Sequence, residues 1–387
     1  MKKFLDCISI VGATPSKFHG TKKYVSTGAV ATTEIDESEV VEVTYEDRPS
    51  RANLSAEAGD ILFAKMQGTR KTLLLDSETE ENIYSTGFYA VRANPEVITT
   101  ECLYYLIDSE LFLAQKDKNC SGATQKAITN GGMAKIEISV PALSEQGILV
   151  NKLKHLTQLI ADKKKQLNLF DEIIKSRFIE MFGTLSSNEQ NFEVLTIESL
   201  CSLIKDGTHQ TPTYTEDTIN GFKFLSSKDV MSTKINWGDI KYIPSDLHEK
   251  LYAVVKPIKN DILMSKNGVN YGVAAVNDTD EVFDIYVSLA LLRPKTDIIN
   301  PVYFRSAINS PDTKRQFDSS IKGIGVPNHH LGEIKKTKIL VPPVDKQNEY
   351  VSFVEQVDKS KFYIVQMQIL LRLLTRAIQQ KTTEVLL

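Results

Sequence analysis

Polar side chains suited to a polyanion gather in six short stretches of this chain. Two of them form matching hairpin tips. One carries Lys65, Gln67, Arg70 and Lys71 in KMQGTRK; the other carries Lys266, Asn267, Asn270 and Tyr271 in KNGVNY. Lys and Arg neutralise phosphate charge, Gln and Asn bond bidentately to the edge of adenine, and Arg does so to guanine. Two Thr-Pro turns add hydroxyl, ammonium and imidazole groups: Thr14, Ser16 and Lys17 in GATPSK, and Thr208, His209, Thr211 and Tyr214 in DGTHQTPTY. Such groups suit phosphate oxygens or base edges. Plain turn chemistry, with Pro fixing φ and Thr capping, accounts for the same letters. Two glycine-rich loops complete the set, with Gln125 and Lys126 in NCSGATQKAITNGG and His329 and His330 in SSIKGIGVPNHHLGE. Adjacent histidines point apart on most backbones, which favours a polar loop contact over joint metal or acid–base work. Hairpin tips of ordinary proteins are equally polar, so nucleic-acid contact and simple solvation both stay open on this pattern alone.

Catalytic chemistry finds no foothold. The chain has no phosphate-binding P-loop, no GxSxG, no HExxH and no paired-cysteine zinc pattern. Methyl transfer to adenine would need an Asn/Asp-Pro-Pro-aromatic tetrad, and VPPV at 341–344 is not one. Cys7, Cys102, Cys120 and Cys201 form no CxxC, which suits free thiols in a reducing cytoplasm. A net charge of −3 over 387 residues argues against a simple basic DNA-coating protein and leaves room for local basic surfaces. No run approaches the length of a membrane span. The start, MKKFLDCISI, reads as the beginning of the first domain, since Asp6 interrupts its short apolar stretch.

These stretches must be held by larger elements. Leu149, Leu153, Leu156, Ile160, Leu167, Phe170, Ile174 and Met181 recur at steps of three and four, with Lys163 and Arg177 on the same stripe. This predicts one long helix over 145–182, with Ser144 as cap and Gly183 as stop. Tyr350, Phe353, Val357, Ile364, Met367, Leu371, Leu374 and Ile378 predict a second, with Asp345 as cap candidate. A single apolar stripe on so long a helix needs a partner helix.

The two helices begin alike, VPALSEQ and VPPVDKQ, and the likeness extends upstream. Without a gap, residues 60–146 match residues 261–347 at 18 positions, where average composition predicts about five. The identities include Asp60/Asp261, Lys65/Lys266, Arg92/Arg293, Ser109/Ser310, Gly122/Gly323, Gly131/Gly332 and Pro141/Pro342. The chain is therefore a two-fold repeat of globular unit and helix. The expected boundaries are 1–142 and 185–343 for the globular domains, and 143–184 and 344–387 for the helices. Within each domain, short strands, a hairpin and a helical segment (102–115 and 302–310) predict an α/β or α+β class, with the helices as an antiparallel coiled-coil spacer. Matching scaffolds with different tips are what two readers of different sequences would show.

Taken together, PALSEQ…ADKKKQLNLFDEIIKSRFIEMFG, DGTHQTPTY and VPPVDKQ resemble the specificity subunit of type I restriction-modification systems, over essentially the whole chain. The resemblance implies a non-catalytic subunit without a cofactor of its own. Each globular unit would be a target recognition domain reading one half of a bipartite site in double-stranded DNA. The helices would dock two methyltransferase subunits, and restriction/translocase subunits would join that core, in the cytoplasm and away from membranes. The alternatives are a non-catalytic coiled-coil scaffold or adaptor, and a specificity subunit serving a related phage-defence methyltransferase without a nuclease.

Overall fold

The computed structural model describes residues 1–230, 233–268, 270–320 and 329–384, the last four of them by backbone only. Gly323 and the rest of 321–328, part of the second glycine-rich loop, lie outside the described residues. The chain divides into two compact units: Met1–Lys165 with Ile364–Leu387, and Gln166–Tyr363. Each long helix thus contributes to both units.

In the first unit the strand Ile61–Ala64 is the centre. It pairs antiparallel with Phe88–Ala93 and Thr72–Leu74, and Ile8–Val11 completes a four-stranded sheet. All four residues of Ile61–Ala64 are buried. Alternate side chains of a strand point to opposite faces. Ile61 and Phe63 accordingly join Phe4, Val91, Leu103 and Phe112 in one core, while Leu62 and Ala64 join Val25, Tyr84 and Phe88 in another. A second four-stranded sheet contains the parallel pair Lys22–Val25 and Ile83–Ser85.

The second unit repeats this plan. Ile262–Ser265 lies between Leu289–Pro294 and Ala274–Val276, with Cys201–Asp206 at the edge. Ile262 and Met264 enter one core and Leu263 the other. The second sheet, of three strands, again has one parallel pair, Phe222–Leu225 with Phe283–Ile285. The expected helical segment near 102–115 is two helices, Thr100–Ile107 and Glu110–Lys118. Ser109 separates them, its hydroxyl accepting from the Phe112 N–H to start the second. Ser310 does the same through Thr313 at the matching break.

The long helices run Leu143–Phe182 and Val344–Glu384. Ser144 and Asp345 are not the caps. The carbonyls of Ala142 and Pro343 accept the first helical bonds, so both polar residues lie inside the first turn. Proline tolerates that place because the N–H it lacks would have no helical partner. Gly183 does end the first helix, at φ +69° with its N–H on the Ile179 carbonyl. Every residue of the first predicted stripe is buried or half-buried, Lys163 and Arg177 included. The second stripe needs correction near its end. Met367 and Leu374 are exposed, while Gln368 and Thr375 are half-buried beside Ile364, Leu371 and Ile378. Steps of three or four both keep to one helical face, and the packed neighbours choose between them.

Within the second unit the helices run antiparallel: Asp171 pairs with Lys361, and Arg177 lies 3.7 Å from Glu349. Phe178 and Phe182 sink into the domain core against Tyr303 and Tyr350. In the first unit the end of the second helix meets the domain through Arg376–Glu110 at 2.5 Å and the Gln379 amide on the Tyr105 carbonyl at 3.1 Å.

Candidate nucleic-acid interface

Repeat-identical residues form the frame of each unit. Gln146 and Gln347, the last letters of the two helix starts, are fully buried. The Gln146 amide accepts from the Thr99 N–H at 2.7 Å and donates to the Val97 and Pro141 carbonyls, both at 3.0 Å. Gln347 makes the same three bonds, to Asn300, Ile298 and Pro342. Gln115 and Gln316 each exchange two bonds with the backbone of the last strand, at Glu137 and Lys338. Asp60 holds Arg92, and Asp261 holds Arg293, through paired hydrogen bonds. The letters of the helix starts showed the repeat; they carried no sign that the glutamines fasten helix to domain.

The first hairpin tip rests on this frame. Lys65 points back, its ammonium on the Thr86 carbonyl at 2.9 Å and over the Tyr89 ring. The Gln67 N–H bonds the Lys126 carbonyl at 3.0 Å, and Met66 bridges Ala127. Tip and glycine-rich loop therefore form one surface, with Gln67, Gln125 and Lys126 exposed on it. Gly122 makes the loop's turn possible: at φ +138°, a Cβ there would meet the Gln125 carbonyl oxygen at 2.4 Å. Arg70 is exposed yet engaged, with two bonds to the Asp108 carboxylate at 3.0 Å. Lys71 is turned inward to the Thr27 carbonyl. The Thr14–Ser16–Lys17 stretch stands on different supports: Ala13 exchanges two backbone bonds with Ser55, and Lys17 lies 3.6 Å from Glu46.

A residue outside the predicted set fastens the first tip. Lys116 is 2 % exposed, and its ammonium donates to the carbonyls of Ala64, Met66 and Thr69 at 3.3, 2.9 and 2.7 Å. Burial lowers its pKa. Its one sequence signal is position, four residues after the buried Phe112 on a short helix.

The second tip is built differently. Lys266 has the same backbone place as Lys65, yet it is 4 % exposed and its ammonium closes on Asp206. It therefore does not present a free charge to phosphate. Asp206 also lies 3.8 Å from His209, so the DGTHQ loop and the hairpin base meet through one carboxylate. Gly207 permits this approach, since a Cβ there would stand 2.1 Å from the Ile285 carbonyl oxygen. Thr208 pairs with this strand end by backbone bonds to Ile285 and Val287. His209 and Thr211 are exposed; Tyr214 is exposed too, under the Lys241 ammonium at 4.2 Å from its ring. Asn267 and Asn270 are half-buried, and Tyr271 bonds Asp318 beneath Lys314.

His329 is a core residue of the second unit. It is 1 % exposed, edge-on to Phe317, with its ring nitrogen 3.3 Å from the Ser320 hydroxyl. His330 is exposed at the start of helix Leu331–Lys336. Burial first, then the Lys314 charge, push the His329 pKa down to about 4. The unfolded chain takes that proton near pH 6.5, the folded one only near 4. Stability is therefore complete above 6.5, falls as pH drops from 6.5 towards 4, and falls no further from this group below it. His329→Gln should flatten that part of the profile relative to the parent chain in thermal denaturation between pH 7 and 4. Parallel profiles for the two proteins would refute the assignment.

Among the described residues, no group of three or more His, Cys, Asp or Glu is placed to hold a metal, and no helix is long and apolar enough to cross a membrane.

A duplicated mixed sheet-and-helix domain, each copy followed by a long helix, defines the class. The family model of the type I restriction modification DNA specificity domain matches residues 10–169 and again 189–374, and the chain belongs to that family. The EcoBI specificity subunit of Escherichia coli is 22 % identical over 270 residues, 64 % of this chain and 56 % of that protein. The EcoKI specificity subunit of E. coli K12 is 23 % identical over 319 residues, 77 % and 67 % of the two chains. This chain thus spans a little over half the length of the EcoBI subunit. A solved chain from a study of type I R-M complex assembly superposes over 97 % of both chains with a TM-score of 0.57 at 20 % identity, so the fold is shared.

Proposed function

We propose that this chain is the DNA-reading specificity subunit of a type I restriction-modification complex, each domain reading one half of a bipartite site. One observation carries this reading: the repeat spends its identities on internal bonds and its differences on the tips. Asp60/Asp261, Gln115/Gln316 and Gln146/Gln347 make the same contacts in both units. On the first hairpin tip and its glycine-rich loop, Gln67, Gln125 and Lys126 are exposed, and on the second unit's Thr-Pro turn, His209, Thr211 and Tyr214 are exposed. These groups can bond base edges and phosphates. Gln125 and His209 are the base-edge assignments and Lys126 is a phosphate contact; Gln67, whose Nε2 donates to the Asp117 carbonyl at 3.2 Å, offers a base only its amide oxygen unless it leaves that carbonyl. Arg70 reads a base only on leaving Asp108.

The long helices present a second surface. Phe362, Tyr363, Leu370 and Leu373 are 51–71 % exposed on one helix. Exposed apolar side chains in such number mark a binding face. Methyltransferase subunits are its assigned occupants, with restriction/translocase subunits added to that core. In this reading the chain has no catalytic role of its own, and the adaptor reading without DNA is not favoured by the family match.

Exchanging residues 1–142 for the first unit of a relative with another specificity tests the reading. Mapping of methylated adenines, with the matching methyltransferase present, should show one half-site replaced and the other kept. A change in both halves, or in neither, would overturn independent reading.

A further inference from the structure

The second unit contains a cavity of about 230 Å³ bounded by both long helices and helix Pro301–Ile308. Arg305 lines it and is 6 % exposed. Its Nη1 donates to the Thr233 carbonyl at 3.4 Å, and its buried Nε has no partner. No described carboxylate forms an ion pair with it. The two nearest acids are engaged elsewhere: Asp171 bonds Lys361 at 2.5 Å, and Asp358 lies 3.5 Å from Lys234 and 4.0 Å from Lys361. Burial accordingly lowers the Arg305 pKa, against the opposing pull of Tyr350 and both acids. Tyr350 lines the same cavity, and its hydroxyl is fully buried, with Ser306 beside it but no bond of good geometry.

A buried guanidinium with one long bond is costly, and removing such a charge often stabilises a fold. Arg305 lines the cavity, so an anion held there would offset the cost of its charge. Three features choose the anion. A guanidinium edge matches a planar two-oxygen group. Desolvation inside the buried site disfavours a doubly charged phosphate more than a monoanion. Ile174, Phe178 and Pro311 give the walls an apolar character. The volume lies below the usual range of about 300–1,000 Å³ for drug-sized ligands, so the molecule is small.

We propose that this cavity binds a small organic carboxylate, its headgroup on Arg305 and Tyr350 and its apolar body against Ile174 and Phe178. The site is independent of the hairpin tips and of any DNA reading.

Titration of the full chain with benzoate and hexanoate, read by calorimetry and Tm, tests this. A saturable rise in Tm is expected with either acid, and none with inorganic phosphate or benzyl alcohol. Arg305→Met should weaken binding about ten- to a hundredfold, the loss of a charge-assisted hydrogen bond, and Tyr350→Phe about two- to tenfold. Without ligand, Arg305→Met should melt no lower than the parent chain. If that variant does not fold, Ser306→Leu fills the cavity instead and should abolish the response with an unchanged circular dichroism spectrum. The proposal is overturned if neither acid raises the Tm, if phosphate raises it equally, if Arg305→Met leaves the affinity unchanged, or if the response survives Ser306→Leu.

Discussion

Gln347→Leu should destabilise the second unit by about 3–5 kcal/mol, among the largest effects expected of one substitution in this chain. The side chain is fully buried and satisfies three backbone groups at once: the Asn300 N–H and the carbonyls of Ile298 and Pro342. Leucine keeps the volume and removes every bond. Each group left buried without a partner costs about 1–3 kcal/mol. The loss falls where the second long helix leaves its domain. Gln146→Leu should act equally on the first unit, since its three bonds are the same. The single tryptophan, Trp237, separates the two cases, because it packs against Phe283 in the second unit. In urea, its fluorescence transition should move to lower denaturant in Gln347→Leu and move less in Gln146→Leu. A shift below about 1 kcal/mol in Gln347→Leu would mean that this amide does not hold helix to domain.

Asp261→Ala should cost about 2–4 kcal/mol, and more than Asp60→Ala. Asp261 is fully buried, accepts from Arg293 Nε and Nη2, both at 2.8 Å, and from the Ile258 N–H at 2.8 Å. Alanine leaves the guanidinium without its carboxylate and the N–H without a partner. The Arg293 side chain is 27 % exposed, so water recovers part of the loss. At the matching place the Arg92 side chain is 46 % exposed and keeps Glu57 at 2.7 Å, which offsets more. Urea unfolding of the two variants should rank them in that order. Equal losses, or the reverse order, would show that neither exposure nor Glu57 sets the cost.

Much of the architecture was legible before any coordinate. The two long helices fall where their apolar stripes place them, and Gly183 ends the helix it was expected to end. Residues 61–63 and 262–264 are short unbroken apolar runs, as two-faced burial requires. Ser144 and Asp345 misled because capping letters are common, while the actual first acceptors, at Ala142 and Pro343, are backbone carbonyls that any residue supplies. Met367 and Leu374 misled because a hydrophobic letter at helical spacing does not say whether a neighbour covers it.

The hairpin tips show where sequence reading stops. Lys65 and Lys266 are one letter at one repeat position, with the same backbone bonds to Gly87 and Ser288. Their side chains diverge because Asp206, 60 residues before Lys266, takes that ammonium within the second unit, while the Lys65 ammonium turns to the Thr86 carbonyl within the first. Arg70 is likewise engaged by Asp108, 38 residues on, and the first tip is fastened by Lys116, about 50 residues from the carbonyls it holds.

By itself the sequence determined the repeat, the two long helices, the fold class and the family, because periodicity and self-similarity are properties of residue order. Only the tertiary structure decided which polar groups are free to meet a ligand. Whether a charge is spent on an internal partner depends on residues that folding alone brings within hydrogen-bond reach.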